Sequence, residues 1–315
     1  MKLNIGLDAM GGDYAPRETV AGAVLAAKQW EGQVEFYLFG RKSDLERELS
    51  SYPIQKNIHI VDCPEVIEMG EHPTKALPKK PLSSIMVGFD YLKNKKIDAF
   101  AGAGNTGAMI VAAMYTVKPI EGIIRPCITS ILPKEEGGVN ILLDVGANAD
   151  CKPDVLYQFA ILGSIYAKNV LNIDNPRVGL LNIGEEEEKG NMLTQAAYRL
   201  MKNSGDFNFV GNVEGRDLFI DKADVIVCDG FTGNVVLKTA EAFYTLIKKR
   251  NLEDDYFKRF NFENYGGTPI LGINAPVIVG HGISNASTIS NMLNLAKEVA
   301  EAGLSEKIKI ALVHE

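Results

Sequence analysis

Short runs of β-branched and apolar residues alternate along this chain with longer stretches of helical spacing. The strand candidates are LNIGL (3–7), EFYLF (35–39), NIHIV (57–61), IDAFA (97–101), CITSIL (127–132), NILLDV (140–145), RVGLLNI (177–183), FNFVG (207–211), VIVC (225–228) and VIVG (277–280). Between most of them lie amphipathic patterns such as PRETVAGAVLAAKQW (16–30) and KPDVLYQFAILGSIYAKNVL (152–171). Pro16 and Pro153 open these two, in first-turn positions where a missing N–H costs nothing. The alternation predicts an α/β fold with a mostly parallel sheet covered on both faces, and several strands are apolar enough for burial on both sides. No repeat, low-complexity stretch or Ser/Gly linker marks a boundary. Residues 1–315 therefore read as one α/β domain, interrupted by a short charged helical excursion at about 242–264.

Several function classes fall away on composition. A formal net charge of −7 leaves no basic field for a nucleic acid, although a local phosphate site remains open. Cys63, Cys127, Cys151 and Cys228 lie far apart with no C-x-x-C pair, which points away from disulfides and zinc and toward a reducing cytosol. The N-terminal MKLNIGLDAMGGD is a short apolar run ended by glycines, a first strand and not a signal peptide. No apolar run reaches the roughly 18 residues of a spanning helix. The expectation is a cytoplasmic protein whose contact with a membrane, if any, is peripheral.

In such sheets ligands sit beyond the carboxyl ends of the strands, where loops turn into helix N-termini. The loops there are polar and glycine-rich: DAMGGD (8–13), GAGNTGA (102–108), DVGANAD (144–150), NIGEEEEKGN (182–191), CDGFTGN (228–234) and GHGISNAS (280–287). One such loop is an ordinary turn; six at equivalent ends suggest a shared pocket. Glycines let backbone amides approach an anion, and helix N-termini add partial positive charge. Asn105, Asn148, Asn182, Asn234 and Asn285 add donors without charge, and Thr106, Thr232, Ser284 and Ser287 can cap helices or donate to phosphate. Asp8, Asp13, Asp144, Asp150 and Asp229 either orient those donors, bind a cation, or serve as caps and turn residues. Glu185 to Glu188 read as a solvated helix start, with the alternative that one glutamate or Lys189 faces the pocket.

Gly102, Gly104 and Gly107 also spell the G-x-G-x-x-G of a dinucleotide turn. That reading wants an acidic residue about 20 positions on, at the end of the next strand. Cys127 and Ile128 stand there instead. There is no G-x-x-x-x-G-K-[ST], no G-x-S-x-G, and only His281 among the four histidines lies in a candidate loop. Cys228 precedes Asp229 and Cys151 follows Asp150, settings that disfavour a thiolate. If a group is transferred, phosphate itself is the expected attacker, with the protein supplying position and charge stabilisation.

At these loops the sequence resembles a known family. DAMGGDYAP (8–16), GAGNTGAM (102–109), LLDVGANADCKP (142–153), VGLLNIGEEEEKGN (178–191), GNVEGRDL (211–218), VCDGFTGNVVLKTAE (227–241) and YGGTPILGIN (265–274) are similar to the signature blocks of bacterial phosphate acyltransferase, the PlsX family. The resemblance implies a Rossmann-like three-layer α/β/α sandwich related to isopropylmalate dehydrogenase, without nicotinamide or metal cofactor. It implies transfer of a fatty acyl group from acyl carrier protein to inorganic phosphate, giving acyl phosphate for phospholipid synthesis. It further implies a homodimer and hand-off of product to a membrane glycerol-3-phosphate acyltransferase. Matched to its blocks, the phosphate-binding candidates are Asp8, Gly11, Gly12, Asp13, Gly104, Asn105, Thr106, Gly107, Asp144, Asn148, Asp229 and Thr232. His281, Ser284 and Asn285 join them from the last polar loop. Lys189, Lys238, Asn234 and Asn182 are the catalytic candidates. The chain has Gly102 where the family usually has serine, and Pro78 and Leu82 at usual Arg and Asp positions. It also fills with charged residues 242–264 a gap where relatives often carry a hydrophobic hairpin.

Two other readings stay open on the residues alone. One is a nicotinamide-dependent dehydrogenase of the isopropylmalate type, revealed by a cofactor absorbance change. The other is a protein that binds acyl carriers without turnover. For an acidic carrier the candidate basic residues are Lys79, Lys80, Arg216, Lys248, Lys249 and Arg250.

Overall fold

In the computed structural model, which describes residues 2–313, contacts gather around two cores. Unit 1 comprises residues 2–119 and 262–305, and unit 2 residues 120–261 and 306–313.

Unit 1 is built on strands β1 (Leu3–Asp8), β2 (Val34–Gly40), β3 (Ile58–Asp62), β4 (Ala99–Gly102), β10 (Thr268–Leu271) and β11 (Val277–Val279). Their order is β3-β2-β1-β4-β11-β10, parallel except for the β10–β11 pair. Asp8 is in register with Gly102, so the loops that follow β1 and β4 leave the sheet side by side. From β1 the chain goes first to β2 on one flank and later to β4 on the other. That reversal is the switch point at which open α/β sheets hold ligands.

Helices α1 (Arg17–Gln29), α2 (Lys42–Leu49), α3 (Pro73–Lys79), α4 (Ser84–Lys93), α5 (Thr106–Ala112) and α9 (Ala286–Glu301) belong to this unit. The Val and Ala residues of α1 line one buried stripe. Gly22 lets α9 approach so closely that a Cβ there would fall 2.5 Å from the Ile289 Cβ. Pro16 is the residue preceding α1 and not its first turn. The core is aromatic, with Phe39 and Phe89 edge-on to Phe100 at centroid distances of 5.7 and 5.1 Å.

Unit 2 carries β5 (Cys127–Pro133), β6 (Val139–Leu143), β7 (Arg177–Leu181), β8 (Asn208–Val213) and β9 (Val225–Val227), in the order β5-β6-β9-β7-β8. Only β5–β6 is antiparallel, a tight hairpin closed by Gly137 and Gly138 at positive φ. Helix α6 (Pro153–Asn169) starts with Pro153 in its first turn, as its sequence predicts, and buries Phe159 and Tyr166. Helices α7 (Met192–Lys202), α8 (Gly230–Lys249) and α10 (Leu304–Val313) complete the helices, α10 beginning at the end of unit 1. The sheets are mostly parallel and helix-covered, as the alternation predicts.

The acidic run is a departure. Glu185 to Glu188 lie in exposed turns, and α7 begins only at Met192, where Asn191 caps it through the Thr194 amide at 2.9 Å. Gly190, at φ +95°, breaks the chain between the glutamates and the cap. Residues 242–249 continue α8, and short 3₁₀ turns at Phe257–Phe260 and Phe262–Asn264 follow.

Candidate active site

In unit 1, Asp8 ends β1 as a buried carboxylate. Its Oδ1 accepts the Met10 amide at 3.2 Å, while Oδ2 is buried with no hydrogen bond of normal geometry. Burial lifts its pKa to about 6 against the pull of the nearby Ser84 hydroxyl and the Met10 and Gly11 amides. The surrounding backbone is packed onto this carboxylate. A Cβ on Gly11 would lie 2.4 Å from Oδ2 and 2.7 Å from the Gly104 amide nitrogen, so loops 8–13 and 102–107 touch through glycine alone. Gly12 turns at φ +116°, and the next amide, Asp13, donates to the Gly282 carbonyl at 2.8 Å. Three predicted loops of this unit, those around 8–13, 102–107 and 280–285, therefore meet.

Several predicted side chains here are spent on the scaffold. Asn105 caps α5 through the Ala108 amide at 3.0 Å, and its own amide donates to the carbonyls of Glu68, Met69 and Glu71. Ser284 donates to the His281 carbonyl at 2.6 Å. Asn285 caps α9 through Thr288 and donates to Glu263 at 3.0 Å. Gly107 leaves room for Pro73, whose Cγ would stand 2.7 Å from a Cβ. The exposed Thr106 hydroxyl and the half-buried His281 lie at the surface of this cluster.

Unit 2 repeats the motif with a different carboxylate environment. Asp144 follows β6, fully buried, and accepts four hydrogen bonds: from the Ile128 amide at 3.0 Å, the Ala147 amide at 3.2 Å, the Asn148 amide at 2.6 Å and the Asn148 side chain at 3.0 Å. Burial raises its pKa while these donors hold it down. The Gly230 amide donates to the Asn148 carbonyl at 2.8 Å, so the loop after β6 meets the start of α8. Asp229 caps that helix, accepting the Thr232 amide and hydroxyl, each at 2.9 Å.

With the cap satisfied internally, the polar group presented near the start of the helix is exposed Asn234. Gly146, at φ +135°, passes so close that a Cβ would lie 2.8 Å from the Asn234 Nδ2. Lys238 follows one turn later, ion-paired with Glu241 at 2.8 Å. Asn182, at the end of β7, braces its own loop by donating to the Lys189 carbonyl and to Asn212, both at 3.1 Å. Lys189 is exposed and has no ion pair among the described residues. Asp144, Asn148, Asp229, Thr232 and Asn234 thus form one cluster, with Asn182 and Lys189 sharing a separate loop.

Sequence reasoning missed Ser84, beside Asp8, and Gly233, whose absent Cβ lets α8 rest on Asp144. The Ser83–Ser84 pair opening a helical run was the available signal for the first. None of the thiols is poised to attack. Burial lifts Cys63 to about 12 and Cys151 to about 11, and Cys127 and Cys228 well above the ordinary range, with neighbouring aspartates adding to each shift. Among the described residues no group of three or more His, Cys, Asp or Glu side chains is placed to hold a metal ion. No described helix is long and apolar enough to cross a membrane.

Comparison with known proteins gives this chemistry a family. Residues 3–254 match the family model described as "Fatty acid synthesis protein". The phosphate acyltransferase of Dictyoglomus thermophilum is 44% identical over 326 residues, covering 97% of this chain and 96% of that protein. That of Desulforamulus reducens is 44% identical over 331 residues, covering 99% and 98%. Among solved structures, a phosphotransacetylase from Streptococcus pyogenes superposes with a TM-score of 0.68 at 16% identity, covering 95% of this chain and 94% of that one. EutD phosphotransacetylase from Staphylococcus aureus gives 0.64 at 13%, with coverage of 95% and 94%. At such identities these structures speak for the fold alone. Near-complete coverage at 44% identity decides the matter: the chain belongs to the phosphate acyltransferase family, enzymes that transfer an acyl group to phosphate.

Proposed function

We propose that this enzyme takes a fatty acyl group from acyl-acyl carrier protein and passes it to inorganic phosphate, giving acyl phosphate for phospholipid synthesis. The observation that carries this reading is the α8 N-terminus. It is braced by two buried or capping carboxylates, Asp144 and Asp229, and presents Asn234 as a neutral donor. A neutral donor at the positive end of a helix suits a developing oxyanion, and such a donor contributes about 3 kcal/mol to catalysis. A phosphate oxygen attacks the thioester carbonyl carbon, the tetrahedral oxyanion collapses, and the C–S bond breaks. The carrier thiolate leaves and takes up a proton from solvent. No enzyme nucleophile intervenes, in keeping with four thiols held protonated by burial.

Lys189 and Lys238 are proposed to offset the phosphate charge, with Asn182 holding the Lys189 loop in place. The glycine cradle around Asp8, with Gly11, Gly12, Gly104 and Thr106, is proposed as an anion-binding element through its backbone. A cytoplasmic homodimer, with hand-off to a membrane glycerol-3-phosphate acyltransferase, completes the reading. The test measures thiol release from acyl-acyl carrier protein with and without phosphate, trapping product with hydroxylamine. Phosphate-dependent release with an acyl hydroxamate is the expected result. Release that ignores phosphate, or none from a carrier competent in another acyltransferase, sinks it.

A further inference from the structure

The glycine cradle of unit 1 is built over a group whose charge an anion would oppose. Asp8 is 1% exposed, and its Oδ2 is buried without a hydrogen bond of normal geometry. Gly11 and Gly104 cover that oxygen so closely that a Cβ on them would fall 2.4 and 3.1 Å from it. A single layer of backbone therefore lies over the carboxyl. The amides of the cradle divide on this line. Those of Met10 and Gly11 turn inward to Asp8, the first at 3.2 Å. Those of Gly12 and Gly104 donate to no backbone or side-chain group among the described residues, and they are the donors left to an anion.

An ionised carboxylate a few Å behind these amides opposes an anion in front of them, and a neutral carboxyl does not. The repulsion is reciprocal, so a bound anion favours the protonated acid. Burial already brings Asp8 close to that point, with its pKa raised to about 6.

We propose that Asp8 is the proton carrier of this cradle, taking up one proton as phosphate binds, so that phosphate is held as the dianion, its more nucleophilic form. The proposal rests on the reading of phosphate as the attacking substrate. The proton comes from solvent and returns to it when acyl phosphate leaves, and no bond of the substrate is made or broken at Asp8.

The surrounding groups leave one competitor for this role. Cys63, which feels the Asp8 charge, is pushed to about 12 chiefly by burial and stays a thiol. Asp62 and Glu65, at and beyond the end of β3, accept the Lys42 and Leu82 amides. Glu18 on α1 pairs with Arg17 and accepts the Ala286 amide, and Glu35 on β2 is spent on Lys2 and His59. Strand β4 and the first turn of α4 carry no ionisable side chain. Exposed Asp13 and half-buried His281 complete the set. His281 is the competitor, because a protonated imidazole would also draw an anion.

The experiment labels the full chain with 13C at the aspartate carboxyls and follows Asp8 by NMR from pH 5 to 8.5. Spectra are compared in chloride and in sulfate at equal ionic strength. Sulfate is the probe because its charge does not change over this range. Sequential assignment identifies the signal in wild type, so the reading does not depend on any variant folding. The Asp8 midpoint is expected to rise by at least about one pH unit in sulfate, and sulfate affinity to fall about tenfold across the range by the same linkage. That fall is expected to vanish in Asp8→Asn and to persist in His281→Gln. Equal midpoints in chloride and sulfate overturn the proposal. So does a pH dependence that survives Asp8→Asn and is lost in His281→Gln. A raised midpoint in a protein that releases no thiol with phosphate keeps the proton link and removes the acyl-transfer reading. Phosphate-dependent thiol release with an unmoved midpoint does the reverse.

Discussion

A Cβ on Gly233 would stand 1.9 Å from the carbonyl oxygen of Asp144, so the first turn of α8 rests directly on the backbone that leaves β6. Alanine is favoured over glycine inside a helix by about 1 kcal/mol, which alone would make Gly233→Ala stabilising. The clash is with backbone, which cannot swing away, and overpacking of this kind costs about 1–3 kcal/mol. Gly233→Ala is expected to lower Tm and to cut kcat/KM at least tenfold by displacing Asn234. A variant with raised Tm and full activity would show that α8 is free to shift.

The Asp8 carboxyl titrates in the fold at about 6 against an ordinary 3.8. Because the folded value is raised, its favourable contribution is complete below pH 3.8 and is lost as pH rises through 6. The shift corresponds to about 3 kcal/mol. Asp8→Asn removes the buried charge, so its stability relative to wild type is expected to improve between pH 4.5 and 7.5. Urea unfolding of both proteins at the two pH values checks this. A difference that does not change with pH would place the Asp8 titration elsewhere.

At the end of the unit 2 sheet where β5 stops and β7 and β9 begin, Lys134 and Asp224 form an ion pair at 2.6 Å, each less than 10% exposed. Arg177 joins Asp224 at 3.0 Å, and Asp221 closes the network. Burial pushes the Asp224 carboxyl up, but Arg177 and Lys134 overcome it and hold the group far below the carboxylate range. Its contribution is therefore present above about pH 3.9 and drains as pH falls below that. Asp224→Ala leaves the buried Lys134 with the exposed Asp221 as its one carboxylate partner and is expected to cost roughly 3 kcal/mol by urea unfolding near neutral pH. A cost under about 1 kcal/mol would mean that Asp221 alone holds Lys134.

Asn234 and Asp229 both lie at the start of α8 but do different things. Asp229→Ala removes a helix cap and is expected to cost about 1 kcal/mol of stability. Asn234→Ala leaves the scaffold intact and is expected to lower kcat roughly a hundredfold with Tm unchanged. Steady-state kinetics beside thermal melts separate the two, and full activity in Asn234→Ala would remove it from the chemistry.

How much of this was legible beforehand depends on how local the signal was. The parallel strands announce themselves as apolar runs, and nearly all fall within a few residues of their expected places. Strand β10 was not seen, because Thr268-Pro269 reads as a turn; its proline pairs with Ile278 in an antiparallel ladder. The site loops were legible as glycine and asparagine clusters, yet sequence does not tell which asparagine faces solvent. Asn105 and Asn234 look alike on paper, and only the fold commits the first to three carbonyls and leaves the second exposed. The two cores were also invisible. The chain passes between them at 119–120, 261–262 and 305–306, where no Gly/Ser linker marks the crossing.

Of the twenty residues of α8, only Gly230 and Gly233 are buried. Most of a helix's stability in a protein comes from packing of its apolar face, so the later turns of α8 draw their persistence from whatever covers them. Amide exchange should be slow at the anchored end and quicken toward Lys249, like a rope made fast at one cleat. An occupant laid along the helix would then tighten it turn by turn, and the local order of this one segment would report on it without any chemistry taking place.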